Sequence, residues 1–211
     1  MADGRLRVVV LVSGSGSNLQ SLIDTVHAPG GPIEIVLVVS SRAGVPALAR
    51  AERASIPTRV VALAGRERGA RDAELADAVA DASPDLVVLA GWMSILSGVF
   101  LDRFPDRVIN LHPSLLPAFP GLHAIEQALA WGVRYTGVTV HFAEEVVDGG
   151  PAILQEPVPV MYGDDEEALT ARIRDVEHRL VPEAVRLFAA GRVRRDAADR
   201  RKVQIVSVEG E

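Results

Sequence analysis

The sequence predicts an α/β protein with a doubly wound, mostly parallel sheet and helices on both of its faces. Short runs of valine, leucine and isoleucine alternate with segments in which apolar residues recur every three or four positions. Nearly continuous apolar runs are typical of strands that are buried on both faces of a parallel sheet. A glycine-rich turn joins the first run to the first helical segment. This repeated β-α alternation is the pattern of a doubly wound fold.

Five strands and four helices are predicted in the first half of the chain. The strands are Arg7–Val12, Ile33–Val39, Thr58–Leu63, Asp85–Ala90 and Arg107–Leu111. The helices are Asn18–His27, Pro46–Ala54, Arg71–Ala82 and Ser94–Arg103. Each helix falls between two strands, as a parallel sheet with helices above and below it requires.

The pattern changes after the fifth predicted strand. Pro113, Pro117 and Pro120 predict a rigid loop without regular ladder hydrogen bonds. After this loop, one short helix and two strands are predicted: Ala124–Trp131, Thr136–Phe142 and Ala152–Val158.

A long last helix is predicted to begin near Asp164, a favourable N-cap residue with Glu167 three positions later. Apolar residues spaced by three or four positions continue to Leu187 and give the helix a packed face. Pro182 predicts a kink or an interruption. Residues 1–193 are expected to form one domain, and residues 194–211 a polar tail with one edge strand at 203–206.

Composition excludes several classes of protein. Hydrophobic residues make up 48% of the 211 residues, which indicates a globular chain and not a disordered one. The net charge is -6, and the scattered arginines form no continuous basic stripe, so no nucleic-acid partner is expected. Cysteine is absent, which excludes disulfides and fits a cytoplasmic protein. No signal peptide or membrane span is predicted, and the chain is expected to be a monomer or a homodimer.

The glycine-rich turn Ser13–Asn18 is suited to hold a phosphate group. Its two glycines allow close approach of a ligand, and the following helix offers unpaired N–H groups and the positive end of its dipole. A dinucleotide is not expected, because Leu19 stands where the third glycine of that motif would fall. The alternative interpretation is a plain tight turn between strand and helix.

The stretch Asn110–Gly150 combines an amide donor, an imidazole and a carboxylate that are compatible with acyl-type transfer. Asn110 and His112 lie at the carboxyl end of a predicted strand, where open parallel sheets bind ligands. Without cysteine or a G-x-S-x-G serine, the expected chemistry is direct attack by a substrate amine. The alternatives are a loop histidine bonded to a backbone carbonyl and an asparagine that satisfies a turn.

A metal site is another interpretation of these histidines and this carboxylate. His112, His123, His141 and Asp148 could supply two histidines and one carboxylate. Their spacing matches no compact ligand motif, so no metal is predicted.

Six segments together resemble the glycinamide ribonucleotide formyltransferases, in the same order and with similar gaps over about residues 6–193. They are Ser13–Asn18, Asp85–Met93, Asn110–Pro117, Pro120–His123, Gly137–Phe142 and Val147–Gln155. The resemblance implies transfer of a formyl group from 10-formyltetrahydrofolate to the amine of glycinamide ribonucleotide, the third step of de novo purine synthesis. It implies Asn110, His112 and Asp148 as the catalytic residues and no metal.

The resemblance also implies how the two substrates bind. The phosphate would bind at Gly16, Ser17 and Asn18, and the ribose near Arg174 and Glu177. The folate would contact Arg68, Met93, Ser94, Ile95, Leu96, Asn110, Glu144, Glu145, Val146, Val147 and Asp148. Family members commonly have arginine where this chain has Ser94, so only backbone contacts to the pterin are implied at that position.

Other functions remain open at this point. Formyltetrahydrofolate deformylase and methionyl-tRNA formyltransferase share the Asn-His-Asp core, but they usually carry an additional N-terminal and C-terminal domain, respectively. The length of this chain favours glycinamide ribonucleotide formyltransferase over both. A non-catalytic module that binds nucleotide phosphates is the alternative from a different class, and the intact Asn110, His112 and Asp148 argue against it.

Overall fold

The computed structural model describes residues 4–62 and 65–207, in which we number nine strands and six helices. The strands are β1 Leu6–Val12, β2 Ile33–Ser40, β3 Thr58–Val60, β4 Leu86–Leu89, β5 Val108–His112, β6 Tyr135–Phe142, β7 Ala152–Pro159, β8 Val193–Arg195 and β9 Val203–Ile205. The helices are α1 Ser17–Thr25, α2 Pro46–Arg53, α3 Arg68–Asp81, α4 Gly98–Leu101, α5 Ala124–Trp131 and α6 Glu166–Ala189.

Seven strands form the main sheet in the order β3-β2-β1-β4-β5-β6-β7. Strands β1 to β5 pair in parallel, and β6 runs antiparallel to both β5 and β7. The chain moves outward from β1 to β3 and then returns to the other side of β1. The predicted doubly wound, mostly parallel sheet is therefore confirmed, and its strand order reverses between β1 and β4.

Two apolar clusters cover the two faces of the sheet. Alternate residues of β1 point in opposite directions, so Val8 and Val10 join one cluster while Val9 and Leu11 join the other. Residues of α1, α2 and α6 pack in the first cluster, and residues of α3 and α4 pack in the second. Helices thus lie on both faces, as the sequence predicts.

The parallel register brings three loops to one edge of the sheet. Leu11 of β1 lies beside Leu89 of β4, which lies beside Asn110 of β5. The glycine turn after β1, the segment after β4 and His112 at the end of β5 therefore share the carboxyl edge. A bond from the Met93 N–H to the Ser13 hydroxyl, 3.1 Å long, ties the first two loops together.

The predicted helix Ser94–Arg103 is mostly wrong, because only α4 is helical there. Side chains of α3 hold the segment before α4 in a non-helical path. The buried carboxylate of Asp72 accepts hydrogen bonds from the Ser97 N–H (2.8 Å) and hydroxyl (2.6 Å). The guanidinium of Arg68 donates to the Leu96 carbonyl at 3.1 Å. These tertiary bonds replace the bonds of a helix.

The last helix differs from the prediction at its start and at its proline. Asp165, and not Asp164, is the N-cap, because its side chain accepts a bond from the Ala168 N–H. Asp164 instead pairs with Arg172 and accepts from the Met161 N–H. The helix continues unbroken through Pro182, whose buried packing outweighs the loss of one helical hydrogen bond.

Two strand predictions need adjustment. Strand β3 ends at Val60, and Leu63, the predicted end, lies outside the described residues. The predicted strand near Val203 forms, but it pairs antiparallel with β8 in a separate hairpin and not at the edge of the main sheet. None of the helices within residues 4–62 and 65–207 has the length and apolar content that crossing a membrane requires.

Candidate active site

The pairing of β5 with β6 defines the floor of the candidate active site. Asn110 and His112 are two positions apart on β5, so their side chains lie on the same face of the sheet. In the antiparallel register, Asn110 lies opposite His141 and His112 lies opposite Thr139. Directly opposed side chains of neighbouring strands are in contact range. The amide Nδ2 of Asn110 accordingly lies 3.3 Å from Nε2 of His141.

Asp148 closes this group from the loop between β6 and β7. One carboxylate oxygen lies 3.2 Å from Nδ1 of His112, and the other accepts a 3.4 Å hydrogen bond from the Asn110 amide. The backbone N–H of Gly121 also donates to the carboxylate, at 2.7 Å. The structure thus brings together the three side chains that the sequence proposes as catalytic.

His112 is held between two acceptors. Its Nε2 lies 2.7 Å from the carbonyl oxygen of Phe119, and its Nδ1 faces Asp148. A carbonyl can only accept, so Nε2 carries a proton. A neutral ring can donate to only one of these groups, whereas an imidazolium donates to both. The site therefore accommodates a positively charged ring, and the loop-histidine alternative describes only half of its contacts.

His141 is a fourth member of the site that sequence reasoning considered only as a metal ligand. The ring is buried, and its Nδ1 lies 2.8 Å from the carbonyl oxygen of Phe142. That nitrogen is the donor, so in the neutral ring Nε2 is free to accept from the Asn110 amide. The same Nε2 lies 3.6 Å from Asp148, to which it can donate only when the ring carries both protons. Only the register between β5 and β6 shows that His141 contacts Asn110.

The charge of Asp148 is set by opposing effects. Burial by itself raises the pKa of the Asp148 carboxyl. The contact with His141, the hydrogen bond from the Gly121 N–H and the charge of His112 together outweigh burial and lower that pKa below its usual value. Asp148 is therefore ionised at neutral pH.

Close packing explains why glycine follows the Asp148 loop at position 150. A side chain at Gly150 would lie 1.8 Å from the carbonyl oxygen of Phe142, so the loop reaches the end of β6 only with glycine there. Asp148 itself has a φ of 52°, a conformation that aspartate tolerates better than most residues.

Two histidines of the alternative metal site, His112 and His141, do lie beside Asp148, at 3.2 and 3.6 Å, as partners of its carboxylate. His123 is exposed and pairs with Glu126 at 2.6 Å, apart from the group around Asp148. Within the described residues, no cluster of three or more His, Cys, Asp or Glu side chains is arranged to hold a metal ion.

The glycine turn meets α1 in a conformation that only glycine adopts easily. Gly16 has a φ of 72°, and a side chain there would lie 2.6 Å from Cβ of Ala47 on α2. Gly16 is thus required by the fold. The N–H groups of the first turn of α1, including those of Ser17 and Asn18, lie at the carboxyl edge of the sheet.

Asn18 links the glycine turn to α6. Its amide donates to the Glu177 carboxylate at 3.0 Å, while its buried Oδ1 has no hydrogen-bond partner among the described residues. Burial raises the pKa of Glu177 above its usual value, although the Asn18 bond and the charge of Arg174 oppose this. An oxygen without a hydrogen-bond partner and a buried carboxylate beside it are suited to bind a polar ligand.

A positive charge beside the glycine turn was missed in the sequence. Arg50 of α2 donates to the Ser15 carbonyl at 2.9 Å and to the Gln20 side chain at 3.0 Å. Its only sequence signal is its place at the end of the second helix, and only packing of α2 against the turn brings it there.

The predicted folate segments form an apolar wall. Four large apolar side chains are exposed on two loops: Met93, Ile95, Val146 and Val147. The Gly98 N–H donates to the Glu145 carboxylate at 2.6 Å and holds the loops together. Leu96 is buried and can offer only backbone atoms, whereas Ser94 is half-buried. Arg68 and Glu144 border the segment and bond to Leu96 and Arg195, respectively.

This fold and this site define a class of protein: the chain belongs to the formyl transferase family, whose model matches residues 6–185. Among individual proteins, it is 44% identical over 190 residues to the phosphoribosylglycinamide formyltransferase of Escherichia coli strain K12, covering 90% of each chain. The enzyme of the same name from Mycobacterium tuberculosis is 49% identical over 185 residues, which cover 87% of this chain and 85% of that one.

Longer proteins and solved structures agree with this assignment. The trifunctional purine biosynthetic protein adenosine-3 of Bos taurus is 48% identical over 90% of this chain, which spans only 19% of that protein. The crystal structure of glycinamide ribonucleotide transformylase 1 from Symbiobacterium toebii is 46% identical and superimposes with a TM-score of 0.91, over 97% of this chain and 96% of that one. A formyltetrahydrofolate deformylase from Pseudomonas syringae is 29% identical, with a TM-score of 0.88 over 96% of this chain and 66% of that one.

Proposed function

We propose that this chain transfers the formyl group of 10-formyltetrahydrofolate to the amine of glycinamide ribonucleotide. The observation that carries the proposal is the position of Asn110, His112 and Asp148 at the carboxyl edge that the glycine turn and the apolar wall share. A phosphate-bearing amine and an aromatic formyl donor are the substrates that such a pair of subsites fits. The names of the relatives support the same reaction.

The ribonucleotide would bind between α1 and α6. Its phosphate would accept from the N–H groups at Gly16, Ser17 and Asn18, helped by the positive charge of Arg50. The ribose hydroxyls would donate to Glu177, next to the exposed side chain of Arg174. Bound in this way, the ribonucleotide would present its amine to the carboxyl end of β5.

The pterin of the formyl donor would lie against Met93, Ile95, Val146 and Val147, whose apolar side chains are already exposed. Backbone groups of Ser94 and Leu96 would fix its polar edge, and Arg68 and the carboxylates of Glu144 and Glu145 lie on the border of this subsite. No metal has a role in this proposal.

The chemistry proceeds by direct attack. The amine nitrogen forms a bond to the formyl carbon, and the bond from that carbon to the folate nitrogen then breaks. Asn110 would exchange its 3.4 Å contact with Asp148 for a hydrogen bond to the oxyanion that develops between these steps, and His112 would supply positive charge beside it. Ionised Asp148 stabilises the imidazolium and accepts the amine proton, which passes to the leaving nitrogen.

Incubation with 10-formyltetrahydrofolate, with and without glycinamide ribonucleotide, tests the proposal. Tetrahydrofolate should appear only when the ribonucleotide is present, together with the formylated ribonucleotide. Release of formate without the amine would instead indicate a deformylase. Ribonucleotide binding without turnover of either compound would indicate a non-catalytic binding module.

Replacement of Glu177 by glutamine should remove a pH dependence of ribonucleotide binding. Since burial raises the pKa of Glu177, its charged form is lost at a higher pH than for an ordinary glutamate. The KM for the ribonucleotide should therefore rise in the natural chain as the pH falls through the raised pKa of Glu177, and stay flatter in Glu177→Gln. The variant should unfold at the same or a higher temperature, because no buried charge remains. A variant with an unchanged KM–pH profile would contradict this role.

Replacement of Ser94 by alanine should have little effect on the formyl donor. If backbone groups hold the pterin, loss of the hydroxyl changes binding by less than about 1 kcal/mol, the typical net contribution of one neutral hydrogen bond. Isothermal calorimetry with a non-reactive folate analogue measures this directly. A much larger loss of affinity would show that the hydroxyl itself contacts the ligand.

A further inference from the structure

The C-terminal hairpin, β8 to β9, packs against the loop that leads to Asp148. Its central contact is Arg195, whose side chain is only 11% exposed. One terminal nitrogen donates to the Glu144 carboxylate at 2.6 Å, and the other donates to Asp106 at 3.0 Å. The hairpin lies beyond residues 6–185, to which the family model extends.

The guanidinium of Arg195 is fixed in its position by further contacts. It lies over the ring of Phe142 at 5.3 Å, and its Nε and Nη2 donate to the Arg200 carbonyl at 3.1 and 2.7 Å. Planar stacking together with several directed hydrogen bonds is a geometry that arginine provides and lysine does not. Arg195 is therefore a rigid link between the hairpin and the loop.

The loop has a second anchor on its other side. Glu144 is the first and Asp148 the last residue of the segment 144–148, and Glu145 between them accepts from the Gly98 N–H. The hairpin thus holds one end of this segment, while the start of α4 holds the neighbouring residue. Displacement of Glu144 would move the apolar residues Val146 and Val147 that follow it.

We propose that Arg195 is a positioning residue that acts through Glu144 to hold the segment 144–148 in the conformation that receives the formyl donor. This inference rests on the proposed function for its kinetic consequences. The arginine-rich C-terminal segment would then influence the reaction without contacting either substrate.

Arg195→Ala should raise the KM for 10-formyltetrahydrofolate about three- to tenfold, the range of a partly exposed charge pair. The KM for the ribonucleotide should stay within about twofold, because the glycine turn lies on other elements. Arg195→Lys should fall between the natural chain and the alanine variant. The matched control is Arg200→Ala, which removes the ion pair of Arg200 with Asp106 but leaves the contact between Arg195 and Glu144.

A double-mutant cycle separates positioning from direct contact. If Arg195 acts through Glu144, the changes caused by Arg195→Ala and Glu144→Gln should be strongly non-additive. If Glu144 instead binds the folate independently, the two changes should add, and the inference would be overturned. If Arg195→Ala fails to fold, the same cycle with Arg195→Lys in its place decides the question, because lysine keeps the charge but not the several directed hydrogen bonds of the arginine.

Hydrogen–deuterium exchange gives a readout that does not depend on activity. Amides 144–150 should exchange faster in Arg195→Ala than in Arg200→Ala, while amides of α1 remain unchanged. Equal exchange or equal KM changes in the two variants would overturn the positioning role. Absence of formyl transfer by the natural chain would reject the proposed function alone, since the exchange experiment still measures the link.

Discussion

Replacing Asp148 by asparagine should lower kcat by about 10²–10⁴-fold, the range associated with loss of acid–base function. The substitution removes the negative charge at nearly constant volume. The asparagine oxygen can still accept from the Gly121 N–H, and asparagine tolerates the φ of 52° at this position. The fold should therefore persist, and ribonucleotide binding at the glycine turn should change little. Steady-state kinetics and calorimetry on the same preparation measure both quantities.

Asp164→Asn is the matched control for this experiment. Its carboxyl is also strongly hydrogen-bonded: the side chain of Arg172 and the Met161 N–H lower the pKa of Asp164 to about 2. Asp164 makes none of the contacts around His112, so its replacement should reduce the unfolding temperature and leave kcat within about twofold. Equal activity of the natural chain and Asp148→Asn would show that Asp148 has no part in the reaction.

The lowered pKa of Asp148 also predicts how kcat depends on pH. Because its contacts lower the pKa of Asp148, the carboxylate stays charged to a lower pH than an ordinary aspartate does. The stabilisation from these contacts is present above the pKa of an ordinary aspartate and is lost progressively as the pH falls through the lowered pKa of Asp148. Any loss of kcat between about pH 5 and 7 therefore comes from another group, and Asp148→Asn should retain it.

Replacing Asn110 by alanine should lower kcat by about 10²–10³-fold, as expected when one donor to a developing oxyanion is removed. This corresponds to about 3 kcal/mol of transition-state stabilisation. The amide also bridges Asp148 and His141, at 3.4 and 3.3 Å, so the variant loosens the support of both groups. Binding of the two substrates should change far less than kcat, because the interaction with the oxyanion exists only in the transition state.

Gln127→Ala removes an amide of the same chemistry outside the site. Its side chain donates to the Leu122 carbonyl at 2.9 Å, and its loss should leave kcat within about twofold. Single-turnover kinetics separate the chemical step from product release in both variants. If Asn110→Ala changed the substrate affinities and left the chemical step unaltered, the amide would be a binding group and not a donor to the oxyanion.

The order of elements could be predicted because it depends on local patterns. Buried parallel strands require continuous apolar runs, and the glycine turn requires residues without a side chain, so both are visible in a short window of sequence. The predicted helix at 94–103 was wrong because its local preference was overridden by Asp72, 25 positions away from Ser97. The N-cap at Asp165 was missed by one position, since two adjacent aspartates carry the same local signal.

The sequence by itself determined the fold class, the glycine turn and the group of residues that supplies an amide, an imidazole and a carboxylate. Only the tertiary structure decided which of these groups meet. Asp148 reaches Asn110 across 38 positions of chain, and His141 enters the site through the register of β5 with β6. Arg195 reaches Glu144 across 51 positions. Such contacts depend on how separate elements pack together, and no periodicity within a single element encodes that packing.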